Sequence, residues 1–352
     1  MDSLPEGLVF LLLMIIIINR REMSYMLGRA LDKKHRFTIH FAGFMILLLI
    51  LSGCGNAASG GTNTASPDAA SPESTSSAEP AATTRVVKDT YGDVEVPANP
   101  ARVVVLDIGA LDNLLEMGVK PVGAPSILAA GDPYPAYLAG TDGIENIGSV
   151  NEPNLEAIDA LKPDLIIGNK DTHDAIHDQL AQIAPTVFVE TLGVTWKENL
   201  QLHADAVNKQ AEGTKLLEGY TQKINELKAK VEGKEVSLFR PRQDKIQIYL
   251  EGTFAGGIMK EAGIVRPAAQ TDEGFSKDLT EEQIADLDGN VILWFDREKD
   301  AFAKLESSPL WKTLKGAQNN SVHPVDWEYW MSGLGIQAAT KVADDINTYV
   351  AG

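Results

Sequence analysis

One stretch, Lys209 to Glu232, constrains the architecture of this chain more than any other. Leu216, Tyr220, Ile224, Leu227 and Val231 recur at steps of four and three, which predicts one helix with a single apolar face. Lys209, Lys215, Lys223, Lys228 and Lys230 fall mostly off that stripe, and Gly233 follows where a helix C-terminus favours glycine. At 1.5 Å per residue such a helix is roughly 35 Å long, about the width of a small domain. Gly213 and Gly219 each cost about 1 kcal/mol relative to Ala, so its first turns are its weakest part.

The segments on either side resemble one another. Glu156-Ala-Ile-Asp-Ala-Leu leads into the apolar run Leu165 to Gly168, and Glu282-Gln-Ile-Ala-Asp-Leu leads into Val291 to Trp294. Upstream, Arg102 to Pro121 reads as strand, small loop, apolar helix and Glu116-Met-Gly-Val. Lys245 to Pro267 reads the same way and reaches Glu261-Ala-Gly-Ile. Two similar α/β halves, 85–208 and 234–352, joined by one stiff helix over 209–233, make a two-lobed body with a cleft.

The chain has 352 residues and a net charge of -18. Residues 1–53 carry six Lys/Arg against four Asp/Glu, so the body is still more acidic than the whole. Its overall field repels nucleic acid and anionic membrane surfaces. One cysteine excludes an internal disulfide and any multi-cysteine metal site.

Leu8 to Ile18 is apolar but too short to span a bilayer as a helix. Phe41 to Leu51, preceded by Arg29, Lys33, Lys34 and Arg36, has the basic and apolar regions of a signal peptide. Two such runs in tandem fit either a start at Met23 or Met26 or an extended leader. Leu51-Ser52-Gly53-Cys54 resembles the bacterial lipoprotein processing box, which makes Cys54 the expected site of lipidation. The acyl chains on such a cysteine anchor the chain to a membrane. Residues 54–84 are Ala, Ser, Thr, Gly and Pro with almost nothing to form a core, and read as a disordered tether.

From Arg85 onward the pattern is that of an α/β protein. Val86 to Val96 holds a turn at Tyr91-Gly92-Asp93. Strands are expected at Val103–Leu106, Val119–Gly123, Leu165–Ile167, Val187–Val189, Val236–Phe239, Ile246–Leu250, Val291–Phe295 and Val322–Val325. Thr195-Trp-Lys-Glu198 has the spacing of a capping box, and a last helix runs from about Gly335 to Val350.

No nucleophile elbow, zinc-protease helix, phosphate loop or Cys/His dyad is present, which argues against a hydrolase of two α/β lobes. His173 and His177 are four apart and could share a metal; a solvated helix face is the plainer reading. Lys170, Arg240 and Arg242 fall at strand ends, where cations make an anion site or are ordinary loop charges. Asp326-Trp-Glu-Tyr-Trp330 directly follows a strand, where aromatic residues can line a cleft mouth. Glu156 and Glu282 take equivalent first-turn positions. The helix macrodipole explains them as caps, and a two-fold partner with arginines explains them as docking groups.

Taken in order, Arg102 to Asp107, Glu116 to Gly123, Asn154 to Ile158, Lys162 to Gly168 and Ile183 to Thr186 resemble the iron–siderophore substrate-binding lipoproteins of bacterial ABC importers. In the second half Ile248-Tyr249, Thr253 to Gly256, Gly263 to Pro267 and Thr280 to Ile284 continue the likeness. The resemblance implies the class III periplasmic-binding fold, two Rossmann-like lobes joined by one long helix. It further implies a non-enzymatic monomer on the outer face of the cell membrane, Gram-positive in view of the tether and acylated Cys54. The ligand is a ferric siderophore that itself coordinates the iron, with no cofactor or metal held by the protein. Haem and cobalamin are the alternatives on the same fold. The resemblance places ligand contacts at Arg240 and Trp330, and with the strand-end cations Lys170 and Arg242 and with Tyr249 these are the expected ligand-binding residues. Glu156 and Glu282, with Glu281 one place away, are implied to dock on the ABC permease dimer.

Overall fold

The computed structural model describes residues 83–127 and 133–352. The leader, Cys54 and all but the last residues of the tether lie outside the described residues. The chain opens with a hairpin of β1 (Thr84–Lys88) and β2 (Asp93–Pro97), with its turn at Tyr91-Gly92. The first lobe then adds β3 (Val103–Val105), β4 (Gly123–Ser126), β5 (Glu145–Ser149), β6 (Leu165–Asn169) and β7 (Thr186–Val189). These form one wholly parallel sheet in the order β5-β4-β3-β6-β7. Within the lobe that is third, second, first, fourth, fifth, the order of a Rossmann half.

The reason lies in the burial. Val103 and Val105 face one apolar cluster, and Val104 and Leu106 face another. A strand covered on both faces reads as a continuous apolar run, as this one does. Each fully buried Val or Leu contributes about 1.5–3 kcal/mol of transfer free energy.

The chain leaves this sheet through two consecutive helices, Trp196–Ala206 and Gln210–Val231. The second is the long helix expected from the periodicity; Tyr220, Ile224, Leu227 and Val231 are buried, and Gly233 has φ +79°. Thr195 does not form the expected capping box: its hydroxyl donates to the Thr191 carbonyl instead.

The second lobe comprises β8 (Val236–Pro241), β9 (Ile246–Tyr249), β10 (Ser276–Leu279), β11 (Val291–Phe295) and β12 (Val322–Val325), in the order β10-β9-β8-β11-β12. β8, β11 and β12 are parallel, but β9 runs antiparallel to β8 and β10 antiparallel to β9. The expected repeat is therefore only half realised. The strands entered from Glu156 and Glu282, β6 and β11, take matching places beside the central strand. β9 does not match β3, because the few residues from Arg242 to Lys245 allow only a hairpin; a parallel strand requires a crossover.

One apolar cluster runs from Val87 through the linking helix to Val350, so the lobes share a core. Much of that continuity comes from the helix Ile336–Ile346, which packs on the linking helix, on Trp196–Ala206 and on the first-lobe helix Ile108–Glu116. The stiff rod of the sequence reading is thus a bundle. It requires two glycines. A Cβ on Gly335 would collide with the Asp112 side chain, and one on Gly109 would lie 2.9 Å from the Leu334 carbonyl oxygen. Between them Leu334 is held at φ 119°, a costly backbone for a residue with a side chain.

Candidate functional site

The carboxyl ends of the parallel strands carry the candidate residues. In the first lobe, Asp107 after β3 accepts from the Ala110 amide at 2.8 Å and caps the helix Ile108–Glu116. Asn169 at the end of β6 donates to Asp107 at 3.3 Å, and its carbonyl oxygen accepts from the Thr172 amide at 3.0 Å. This buried tie fixes the backbone from which Lys170 projects. The Lys170 ammonium lies 3.1 Å from Glu190, beyond β7, and 5.5 Å from the centre of the Tyr91 ring. Tyr91 is 44% exposed, donates to Asp174, and stands 4.2 Å from the His177 ring. The hairpin turn was visible in the sequence, but its contact with Lys170 was not, since 78 residues of unrelated pattern lie between Tyr91 and Lys170.

The histidine pair does not make a metal site. His173 is buried; Nδ1 accepts from the Asn169 amide at 3.4 Å and Nε2 donates to the Val150 carbonyl at 2.8 Å. Both ring nitrogens are thereby used. A 3-10 turn over Asp174–Ile176 separates the helices Lys170–His173 and His177–Ala181, and both histidine rings pack against Phe188. Among the described residues no cluster of three His, Cys, Asp or Glu could hold an ion.

In the second lobe, Arg240 near the end of β8 meets Glu298, beyond β11. Nε lies 3.0 and 2.9 Å from the two carboxylate oxygens, and Nη2 also donates to Glu298. Arg242 follows at the hairpin. Arg297, exposed, lies over the Trp327 ring at 3.9 Å.

Two residues expected to contact ligand, Trp330 and Tyr249, are instead buried. Trp330 is 0% exposed, and its indole N–H donates to Asp345 at 2.8 Å. Tyr249 is 3% exposed; its ring packs 5.0 Å from Phe295 and its hydroxyl donates to Gln247. Both are core residues. On the helix Trp327–Trp330 it is Trp327, three residues earlier, that remains partly accessible. Trp294 stacks on Phe302 at 3.9 Å, again inside the lobe.

The lobes meet through a buried polar knot. Asp112 accepts from the Gln337 amide at 2.8 Å, the Ala338 amide at 3.0 Å and the Tyr137 hydroxyl at 3.2 Å. Asn113 accepts from the Ile336 amide and bonds His203 at 3.0 Å. The helix Ile336–Ile346 therefore takes its N-terminal caps from the other lobe. Burial pushes the Asp112 carboxyl up to about 7, against the pull of the two amides and Tyr137. Burial pushes His203 down to about 4, with Asp107 opposing. Nearby, the Ala136 amide donates to Glu328 and the Tyr137 ring meets Tyr329 edge-on at 5.8 Å. The segment after β4 thus touches the segment after β12. Across the molecule Lys197 pairs with Glu261.

Glu156 is exposed in the first turn of Leu155–Ala160, a helix capped by Asn154. Glu282 is exposed in the first turn of the 3-10 helix Glu281–Leu287, as is Glu281. A hydrogen bond with Thr280 holds the Glu282 carboxyl below its usual range.

Residues 103–327 match the family model described as periplasmic binding protein. The chain is similar to a probable siderophore-binding lipoprotein, YfiY, of Bacillus subtilis, 38% identical over 327 residues that cover 87% of this chain and 95% of that one. It is also similar to the Fe(3+)-citrate-binding protein YfmC of the same organism, 30% identical over 309 residues, covering 86% and 93%. Among solved structures it resembles Staphylococcus aureus SirA complexed with staphyloferrin B. The TM-score is 0.67 at 29% identity, over 76% of this chain and 98% of that one. The likeness to the iron–siderophore binding class and the class III fold are borne out together. The chain, two α/β lobes on a helical spine, belongs to the periplasmic binding protein family.

Proposed function

We propose that this protein is the binding component of an ABC importer, which captures a ferric siderophore outside the cell and delivers it for iron uptake. The observation that carries this reading is the 38% identity to a siderophore-binding lipoprotein along 87% of the chain. The cations Lys170, Arg240, Arg242 and Arg297 at the strand ends of an otherwise acidic molecule support it. The siderophore supplies every ligand to the iron, and the protein binds the chelate by its shape and outer charge. Trp327 and Tyr91 give partly exposed aromatic surface for the organic scaffold.

In this reading residues 1–53 are a leader, Cys54 carries the lipid, and 54–84 tether a monomer to the extracellular face of a Gram-positive membrane. Glu156 and Glu282 engage arginines of the permease dimer. Nothing in the scheme calls for catalysis, a resident cofactor or nucleic acid.

The test is tryptophan fluorescence of the full chain against a panel of ferric siderophores, haem and cobalamin. Saturable quenching by a ferric siderophore is expected. A response to haem or cobalamin alone overturns the ligand class.

A further inference from the structure

The Arg240–Glu298 pair ties the end of β8 to the segment after its sheet neighbour β11. Each side chain keeps some exposure, 20% for Arg240 and 25% for Glu298, so the pair is reachable from solvent yet largely desolvated. The guanidinium spends Nε and Nη2 on this one carboxylate. Burial works against the charge on Glu298, but the Arg240 hydrogen bond and the charges of Arg240, Arg242 and Arg297 outweigh it and hold the carboxyl below its usual range.

Three guanidiniums thus act on one carboxylate. Arg297 is shared with Glu328 across Trp327, whereas Arg242 has no ion pair among the described residues. A simple cross-brace needs one arginine. The extra cation matters if the carboxylate moves, because Arg242 can then receive it.

We propose that Glu298 competes with the ligand for Arg240: a carboxylate at the rim of an incoming ferric chelate takes over the guanidinium fork, and Glu298 swings to Arg242. This inference rests on the reading above, that the chain binds a ferric chelate. It makes Glu298 a specificity-determining residue that handicaps chelates with rim carboxylates, which must displace it, relative to chelates without them. Exchange of one carboxylate for another on the same fork conserves the charge-assisted hydrogen bonds. A chelate without rim carboxylates cannot make the exchange and leaves the pair intact. Because the pair is partly desolvated, breaking it costs more than breaking a surface salt bridge, and that cost is set against every carboxylate ligand.

The test titrates the full chain and its Glu298→Gln variant with ferric dicitrate, which carries free carboxylates, and with the ferric trihydroxamate ferrioxamine B, which has none. Glu298→Gln is expected to bind ferric dicitrate about tenfold more tightly than the parent, and ferrioxamine B within about twofold. Equal or weaker dicitrate binding overturns the proposal, and so does a parallel loss for both chelates, the signature of a brace. Glu298→Asp, which keeps the charge on a shorter stem, guards against misfolding of the first variant. It should gain about threefold for dicitrate on the same grounds, and no gain counts against the proposal. A parent that binds neither chelate nor any other ferric siderophore removes the underlying function instead, an outcome separate from these.

Discussion

The seam between the lobes and the strand ends beyond it both rely on carboxylates, but in opposite ways. Asp112 at the seam is fully buried and has no cation among the described residues; two helix amides and a tyrosine hydroxyl hold it. Glu298 and Glu190 keep some exposure and each holds a cation, Arg240 and Lys170. Backbone donors cannot leave, so the first arrangement is permanent. A side-chain cation can change partners, so the second permits exchange. Lobe position and the proposed ligand contact are thus assigned to different physics within one molecule.

The largest test of that contrast is Asp112→Ala. It leaves two buried amides and a hydroxyl without acceptors, and a loss of about 3 kcal/mol is expected in urea unfolding. A loss no larger than that of a surface substitution breaks the contrast.

The pH dependence sharpens it. The folded-state Asp112 carboxyl titrates near 7, above the ordinary 3.8, so the folded chain binds the extra proton between those values. This group therefore makes the fold less stable as pH rises from about 4 to 7. Urea midpoints of parent and Asp112→Asn should diverge across that range, the parent losing ground at the upper end. Parallel curves would show that burial does not dominate there.

Trp330→Phe should lower stability by about 1 kcal/mol through loss of the Asp345 hydrogen bond, and leave siderophore affinity unchanged. Trp327→Ala should reduce ligand-dependent quenching with little change in stability. The reverse pattern would restore Trp330 to the site. The smallest effect belongs to Lys170→Ala. Its pair with Glu190 is exposed, so stability should move by less than about 0.5 kcal/mol, while affinity for an anionic chelate falls a few-fold.

Much of the architecture was legible in the sequence, and what was not has particular causes. The linking helix declared itself because its buried stripe is long and regular. The central strands β3, β6 and β11 did so because both faces are covered. β5 and β10 were missed: they sit at sheet edges, and Glu-Asn-Ile-Gly-Ser and Ser-Lys-Asp-Leu each bury a single residue. The direction of β9 was readable from the short link before it, but similarity to the first half obscured that constraint. Glu156 and Glu282 were placed correctly on exposed first turns by their spacing alone. Trp330 was misjudged because Trp327 and Trp330 lie in one aromatic run, and only tertiary packing decides which faces inward. Asp112 drew no attention because its partners come from a helix more than two hundred residues away.

That separation bears on how the molecule is assembled. The amides that satisfy Asp112 and Asn113 lie 223 to 226 positions downstream in the chain. A fragment ending after the linking helix would keep its own sheet but leave those acceptors bare beside an uncovered apolar face. Neither half should survive as an independent module, and melting of the body should be a single cooperative event with no half-folded plateau.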